Sequence, residues 1–169
     1  MKSAGGEAII VKADVTKKAE VDRLIKETIS NYGETIDVLV NNAGGLVTSK
    51  TLAEMDAAFF DKVIKLNLNT TFLVTQAVLP HMKSGASIVN IASQAGRDGG
   101  GGGFIAYATS KGAIMAFTRG LAKEVGPRNI RVNALCPGMF ATTFHDTFTT
   151  DEVQEKVAGI TPLRREGSA

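Results

Sequence analysis

The sequence is short of nearly everything that marks a specialised class of protein. It has one cysteine, two histidines and no tryptophan. A lone Cys136 can form neither an internal disulfide nor a cysteine-based zinc site, which fits a reducing compartment and makes the cytoplasm the expected location. Beside Pro137 it reads as a small apolar packing residue. His81 and His145 stand apart, without partners at ligand spacing, so no metal site is expected. The 19 Lys and Arg are offset by 17 Asp and Glu, for a formal net charge of +2, and the bases are scattered among the acids. Such a chain has no positive stripe for nucleic acid. No run approaches the ~18–20 consecutive apolar residues of a membrane span, and the start, Met1-Lys2-Ser3-Ala4-Gly5-Gly6, has no apolar signal core. Asn69-Thr70-Thr71 spells a glycosylation sequon, but in a stretch that reads as helix in a chain with no expected export. What remains is 169 residues, 44% of them hydrophobic, enough for one soluble domain with a core.

Apolar periodicity divides the chain into alternating strands and helices. Residues 8–13 are a β-branched run behind Gly5-Gly6 and read as a buried strand. Thr16 is the expected N-cap of a helix whose Val21, Leu24, Ile25, Ile29 and Tyr32 recur at three and four, closed by Gly33. Ile36 to Val40 form a second strand that runs into a turn, Asn41-Asn42-Ala43-Gly44-Gly45. A long helix is expected from about Met55 to Met82, apolar on more than one face, with Pro80 disturbing its last turn. Residues 87–92 form the third strand, followed by a loop whose glycines 99–103 make it flexible by composition. A helix from about Ala106 to Val125 ends at Gly126-Pro127, and residues 130–135 form a fourth strand. A short helix near residues 151–158 and a polar end follow. This alternation predicts β-α-β units, a parallel sheet under helices on both faces, and right-handed crossovers. Sites in such sheets form beyond the carboxyl ends of strands.

At one such end stands Ser93, and Tyr107 and Lys111 lie one turn apart at the start of the next helix. A free phenol, with a pKa near ~10, is a poor acid or base at neutral pH, and a nearby cation lowers that value. Lys111 is placed to be that cation, and the Ser93 hydroxyl to hold a substrate oxygen while Tyr107 passes it a proton.

Here the chain resembles the short-chain dehydrogenases/reductases, NAD(P)-dependent enzymes with a Rossmann-type sheet. Asp14-Val15 resembles the acidic segment beside the adenine, and Asn41-Asn42-Ala43-Gly44 the turn after the central strand. Asn67 in Lys65-Leu66-Asn67-Leu68 resembles the helix-borne catalytic Asn. Ile88-Val89-Asn90-Ile91-Ala92-Ser93 resembles the strand that delivers the catalytic Ser, and Tyr107-Ala108-Thr109-Ser110-Lys111 the signature helix. Pro137-Gly138 with Thr142 resembles the segment that contacts the nicotinamide carboxamide. The resemblance implies a doubly wound, three-layer α/β/α fold. It implies NAD or NADP as cofactor, a small carbonyl or alcohol substrate, and a homodimer or tetramer through the two long helices. It also implies roles: Tyr107 as acid/base, Lys111 lowering its pKa and holding the nicotinamide ribose, Ser93 orienting substrate, and Asn67 supporting a water that relays protons from Lys111.

Two departures qualify the resemblance. The Ser93–Tyr107 interval is one residue longer than the family's, an insertion the glycine loop can absorb, with Gln94 the neighbouring candidate for the role of Ser93. No Gly-x-Gly-x-x-Gly phosphate-binding turn is present, and the family's last helix and strand would follow Thr161-Pro162-Leu163. The expected fold is therefore one partial domain over residues 1–169, incomplete at both ends, with Val38-Leu39-Val40 as an exposed edge. Either the 8–13 strand shifts to pair with that edge or another chain covers it. The alternative function is an inactive fragment that keeps the sheet and oligomer surface but holds no cofactor. A serine hydrolase is excluded, since Ser93 lacks a Gly-x-Ser-x-Gly elbow.

Overall fold

The computed structural model describes residues 5–169; residues 1–4 and the side chains of residues 144–146, His145 among them, lie outside it. The chain begins with α1 (Lys18–Tyr32), β1 (Val38–Asn41), α2 (Ala57–Ile64), α3 (Thr70–Val78) and β2 (Ser87–Ile91). It continues with α4 (Ala95–Asp98), α5 (Ile105–Val125), β3 (Arg131–Leu135), β4 (Phe140–Ala141), α6 (Thr143–Phe148), α7 (Asp151–Ile160) and β5 (Gly167–Ser168). The first three strands form one parallel sheet in the order β1-β2-β3, with Leu39 opposite Ile88 and Ile88 opposite Val132. Parallel neighbours require long crossovers, and α2 with α3, then α5, supply them. A separate parallel pair, β4 and β5, sets Phe140 opposite Gly167.

The core lies where α1, α3 and α5 meet the sheet. Val21, Ile25, Leu39, Val78, Ile88, Leu121, Val125 and Val132 are buried together there. Each fully buried aliphatic side chain contributes roughly 1.5–3 kcal/mol. A ladder of buried polar groups crosses this layer. The Asn41 amide donates to Thr75 Oγ1 (2.9 Å) and Asn90 Oδ1 (2.8 Å), and the Asn90 amide donates to Thr118 Oγ1 (2.9 Å). It ties β1, β2, α3 and α5 in one register, because shifting any member would leave a buried donor unpaired.

Three expectations are corrected. Residues 8–13 form no strand: they carry no regular secondary structure, Ile10 is 99% exposed, and no ladder joins them to β1. Side chains of α1 hold the end of this segment and the residue after it, the Arg23 guanidinium donating to the Lys12 carbonyl (2.6 Å) and Glu20 accepting from the Asp14 N–H (2.8 Å). The edge of β1 therefore stays open, with Val38 61% and Val40 56% exposed while Leu39 and Asn41 are buried. Thr16 is not the cap of α1. Its hydroxyl donates to Asp14 Oδ1 (2.7 Å), and extended Lys17 occupies the cap position. Finally, the helix expected over 55–82 is broken by a π-turn at Lys65–Asn69 and ends in a 3₁₀ turn at Leu79–His81. The wider turn arises at Asn67, whose amide donates to the Val63 carbonyl (3.0 Å) in competition with the backbone.

Candidate active site

The carboxyl ends of β1, β2 and β3 open into one cavity of about 700 Å3, a size suited to a small-molecule site. Ser93, Tyr107 and Lys111 line it together with Asn42, Gly44, Pro137, Gly138 and Thr142. Ser93 follows β2 directly, and its Oγ accepts from the Ala95 N–H (3.2 Å), which opens α4. Tyr107 and Lys111 sit on the first turns of α5. The Tyr107 ring packs with Leu46, Val63 and Ala106, and Phe104 stands edge-on to it at 6.4 Å between centroids. Lys111 is only 5% exposed; its Nζ lies 5.7 Å from the centre of the Tyr107 ring and donates to the Ile91 carbonyl (2.7 Å).

These surroundings set the acid-base character of the pair. Burial raises the Tyr107 phenol above its ordinary value, and a hydrogen bond with the Ser93 side chain partly opposes that rise. Burial lowers the Lys111 ammonium to about 8. The expectation that Lys111 depresses the phenol is thus corrected: loss of water around a phenolate outweighs a cation that is aimed at a backbone carbonyl and is itself weakened by burial.

Asn67 reaches the same place from the π-turn. It is fully buried, its amide donating to the Gly45 carbonyl (2.9 Å) while its Oδ1 accepts from the Gly45 N–H (3.0 Å). Gly44 must be a glycine here: a Cβ on it would stand 2.5 Å from Asn67 Oδ1 and 3.5 Å from Lys111 Nζ. The remaining expected residues lie apart from the Ser93–Lys111 wall. Val15, Asn41 and Ala43 line a second groove along β1, which Asn42 shares. Asn41 gives both amide hydrogens to the polar ladder. Asp14 sits before α1, its carboxylate lowered by hydrogen bonds from the Thr16 hydroxyl and N–H, with Lys17 adding to the effect.

Several residues of the site escaped sequence reasoning. Gly96 and Gly112 let α4 settle on α5, since a Cβ at Gly96 would lie 2.7 Å from the Gly112 nitrogen. The signal was present in a glycine directly after Lys111. The glycine loop is anchored instead of loose: Gly102 accepts from Ser49 Oγ (3.2 Å) and Gly103 from the Lys50 N–H (3.1 Å). Asp98, Phe104, Met139 and Phe140 also line the cavity, in segments with no periodic pattern. Gln94 also lines it, but its side chain turns to Asp98 (3.2 Å) while Ser93 meets Tyr107.

The sequence model for the family described as short chain dehydrogenase matches residues 1–153. The chain is 40% identical over 166 residues to a 3-oxoacyl-[acyl-carrier-protein] reductase of Synechocystis, covering 96% of this chain and 64% of that protein. A crystal structure of a dehydrogenase/reductase from Sinorhizobium meliloti superposes with a TM-score of 0.91 at 30% identity, over 99% of this chain and 65% of that one. The NADH-dependent reductase A1-R' complexed with NAD superposes with a TM-score of 0.78 at 35% identity, over 82% of this chain and 60% of that one. The chain thus spans somewhat less than two thirds of the length of these three proteins.

Proposed function

The chain belongs to the short-chain dehydrogenase family, and from that premise we propose that it transfers hydride between the nicotinamide of NAD or NADP and a carbonyl or secondary alcohol. The observation that carries this reading is the meeting of Ser93, Tyr107 and Lys111 on one wall of one cavity. When bound, the cofactor supplies or accepts the hydride. The residues that would hold it are Asn42, Ala43 and Gly44 after β1 and Pro137, Gly138 and Thr142 after β3, with Asp14 and Val15 those that would meet the adenine. At Gly44 and Gly138 no side chain narrows the approach.

The proton chemistry belongs to the chain's own groups. A phenol raised by burial stays protonated at neutral pH, so Tyr107 Oη is a donor to the substrate oxygen, and Ser93 Oγ orients that oxygen beside it. Lys111, cationic below about pH 8, would hold the nicotinamide ribose and stand as the proton reserve from which the phenolate left after transfer is restored. Asn67 holds the Gly44-Gly45 turn near Lys111, where it would support a water that relays protons from Lys111. A homodimer or tetramer would use α3 and α5, where Phe72 is 45% exposed. No helix of the described residues is long and apolar enough to cross a membrane, and a cytoplasmic enzyme is the proposed setting.

A second reading has its own observation. The open β1 edge favours an inactive fragment that keeps the sheet and holds no cofactor. Turnover separates the two. Tyr107→Phe removes the proton donor while keeping the ring packed, and should lower NAD(P)H-dependent carbonyl reduction by ~10²–10⁴ with an unchanged circular dichroism spectrum. A variant reducing carbonyls at the unaltered chain's rate would rule out this mechanism.

A further inference from the structure

We propose that Asp98 sets the charge of the substrate, so that the cavity takes an uncharged carbonyl compound with an apolar body and turns away one with an anion beside its carbonyl. The inference rests on the reading of this same site as a carbonyl-reducing one and adds the class of molecule. Among the described residues that line the cavity, only Asp98 and Lys111 carry charged side chains. Lys111 is 5% exposed, packed beside the Tyr107 ring and bonded to the Ile91 carbonyl (2.7 Å), so its charge is turned from the exposed side where Asp98 stands. Asp98 is held in place at the exposed side of the cavity, Oδ1 accepting from the Gly100 N–H (2.9 Å) and Oδ2 from the Gln94 amide (3.2 Å). A carboxylate offers about four acceptor positions and no donor. Two positions remain for a neutral hydroxyl or amine, and nothing for a second carboxylate except repulsion.

The rest of the substrate side is apolar and fixed. Phe104, Met139, Phe140 and Val157 line it. Phe104 stands edge-on to Tyr107 at 6.4 Å, and Gly100 folds so closely over it that a Cβ there would lie 3.2 Å from the Phe104 Cβ. The Phe140 ring lies over Gly167, where a Cβ would meet it at 2.6 Å. A body passing these walls to present its carbonyl to Tyr107 loses part of its water. An uncharged one gains by that transfer, while an anion needs a cation or several donors in exchange and finds Asp98.

The test uses two probes alike in ring and ketone and differing in charge, methyl phenylglyoxylate and phenylglyoxylate, with the 169-residue chain. The ester should exceed the anion in kcat/KM by roughly tenfold or more, as expected for a desolvated carboxylate beside a like charge. Asp98→Asn should shrink that ratio about fivefold and Asp98→Lys further, while Asp98→Glu keeps it. A ratio near one, or one that Asp98→Asn leaves in place, overturns the proposal. The same pair is followed by saturation-transfer NMR without hydride donor, where the ester should bind and the anion should not. An ester that binds and is never reduced defeats the reductase reading and leaves the charge selection standing. Equal binding of both probes, or binding of neither, defeats the charge selection.

Discussion

The cavity at Tyr107 and the groove along the free edge of β1 are both apolar openings on one small sheet, about 700 and about 310 Å3, yet they are built differently. Around the cavity, polar groups are drawn inward and each is held by a second contact: Lys111 by the Ile91 carbonyl, Asn67 by Gly45 and Val63, Ser93 by Ala95 and Tyr107. Along the groove, Val15, Leu24, Val38, Val40 and Val74 form an apolar strip, and Asn41 turns its amide hydrogens away into the sheet. A buried cation is expensive to keep, and a strand edge costs nothing beyond its exposure. The difference is the one expected between the proposed catalytic surface and one defined by an unpaired strand.

The comparison can be broken most forcefully at Gly96, after the loss of turnover expected of Tyr107→Phe. Gly96→Ala drives a Cβ into the backbone at Lys111 and Gly112, each 2.7 Å away. It should destabilise the fold by ~1–3 kcal/mol as an overpacking substitution, and lower turnover by parting α4 from α5. Thermal melts read the first effect; a melting temperature unaltered by the substitution would mean that this close approach does not hold the site.

Lys111 sharpens the contrast with a smaller effect of opposite sign. Its depression from 10.5 to about 8 corresponds to roughly 3 kcal/mol against the charged form. Between those values the unfolded chain binds more protons than the folded one, so stability rises as pH climbs through the window and is lowest below it. Lys111→Met removes that burden and strands the Ile91 carbonyl, for a net gain of about 1–2 kcal/mol at neutral pH. The gain should fade above about pH 10 while turnover is lost at every pH. Denaturant melts across pH check the sign, and a destabilised variant at neutral pH would contradict it.

At the groove the smallest effect is expected. Val40→Lys places a charge on the open edge, where Val40 is 56% exposed, and should change stability by less than about 0.5 kcal/mol. Any association through that edge, beyond a pair formed on α3 and α5, should fall, as sedimentation velocity would show, because a charged edge resists added strands. Unchanged self-association would mean that copies meet elsewhere.

The sequence was legible where periodicity and strand ends coincide. Val21 to Ile29, Ile88 to Ile91 and Ala106 to Val125 carried their elements plainly, and the positions of Ser93, Tyr107 and Lys111 followed from the strand-to-helix order. Residues 8–13 misled because a β-branched run states a preference for extended backbone and not the presence of a neighbour to pair with. The π-turn at Asn67 was hidden because its apolar flanks keep helical spacing through it. The acid-base balance was misjudged for a related reason. An i, i+4 spacing brings Tyr107 and Lys111 to one face, but only the fold reveals that Ile91 claims the ammonium and that burial outweighs charge.

The central claim is that this chain holds a nicotinamide cofactor against Tyr107. Titration of the 169-residue chain into NADH and, separately, NADPH, followed by nicotinamide fluorescence, tests it directly. The account predicts a saturable change with at least one of them, reversed by the matching oxidised cofactor. A signal that stays flat for both to the highest attainable protein concentration would contradict it and leave the sheet as an inactive fragment.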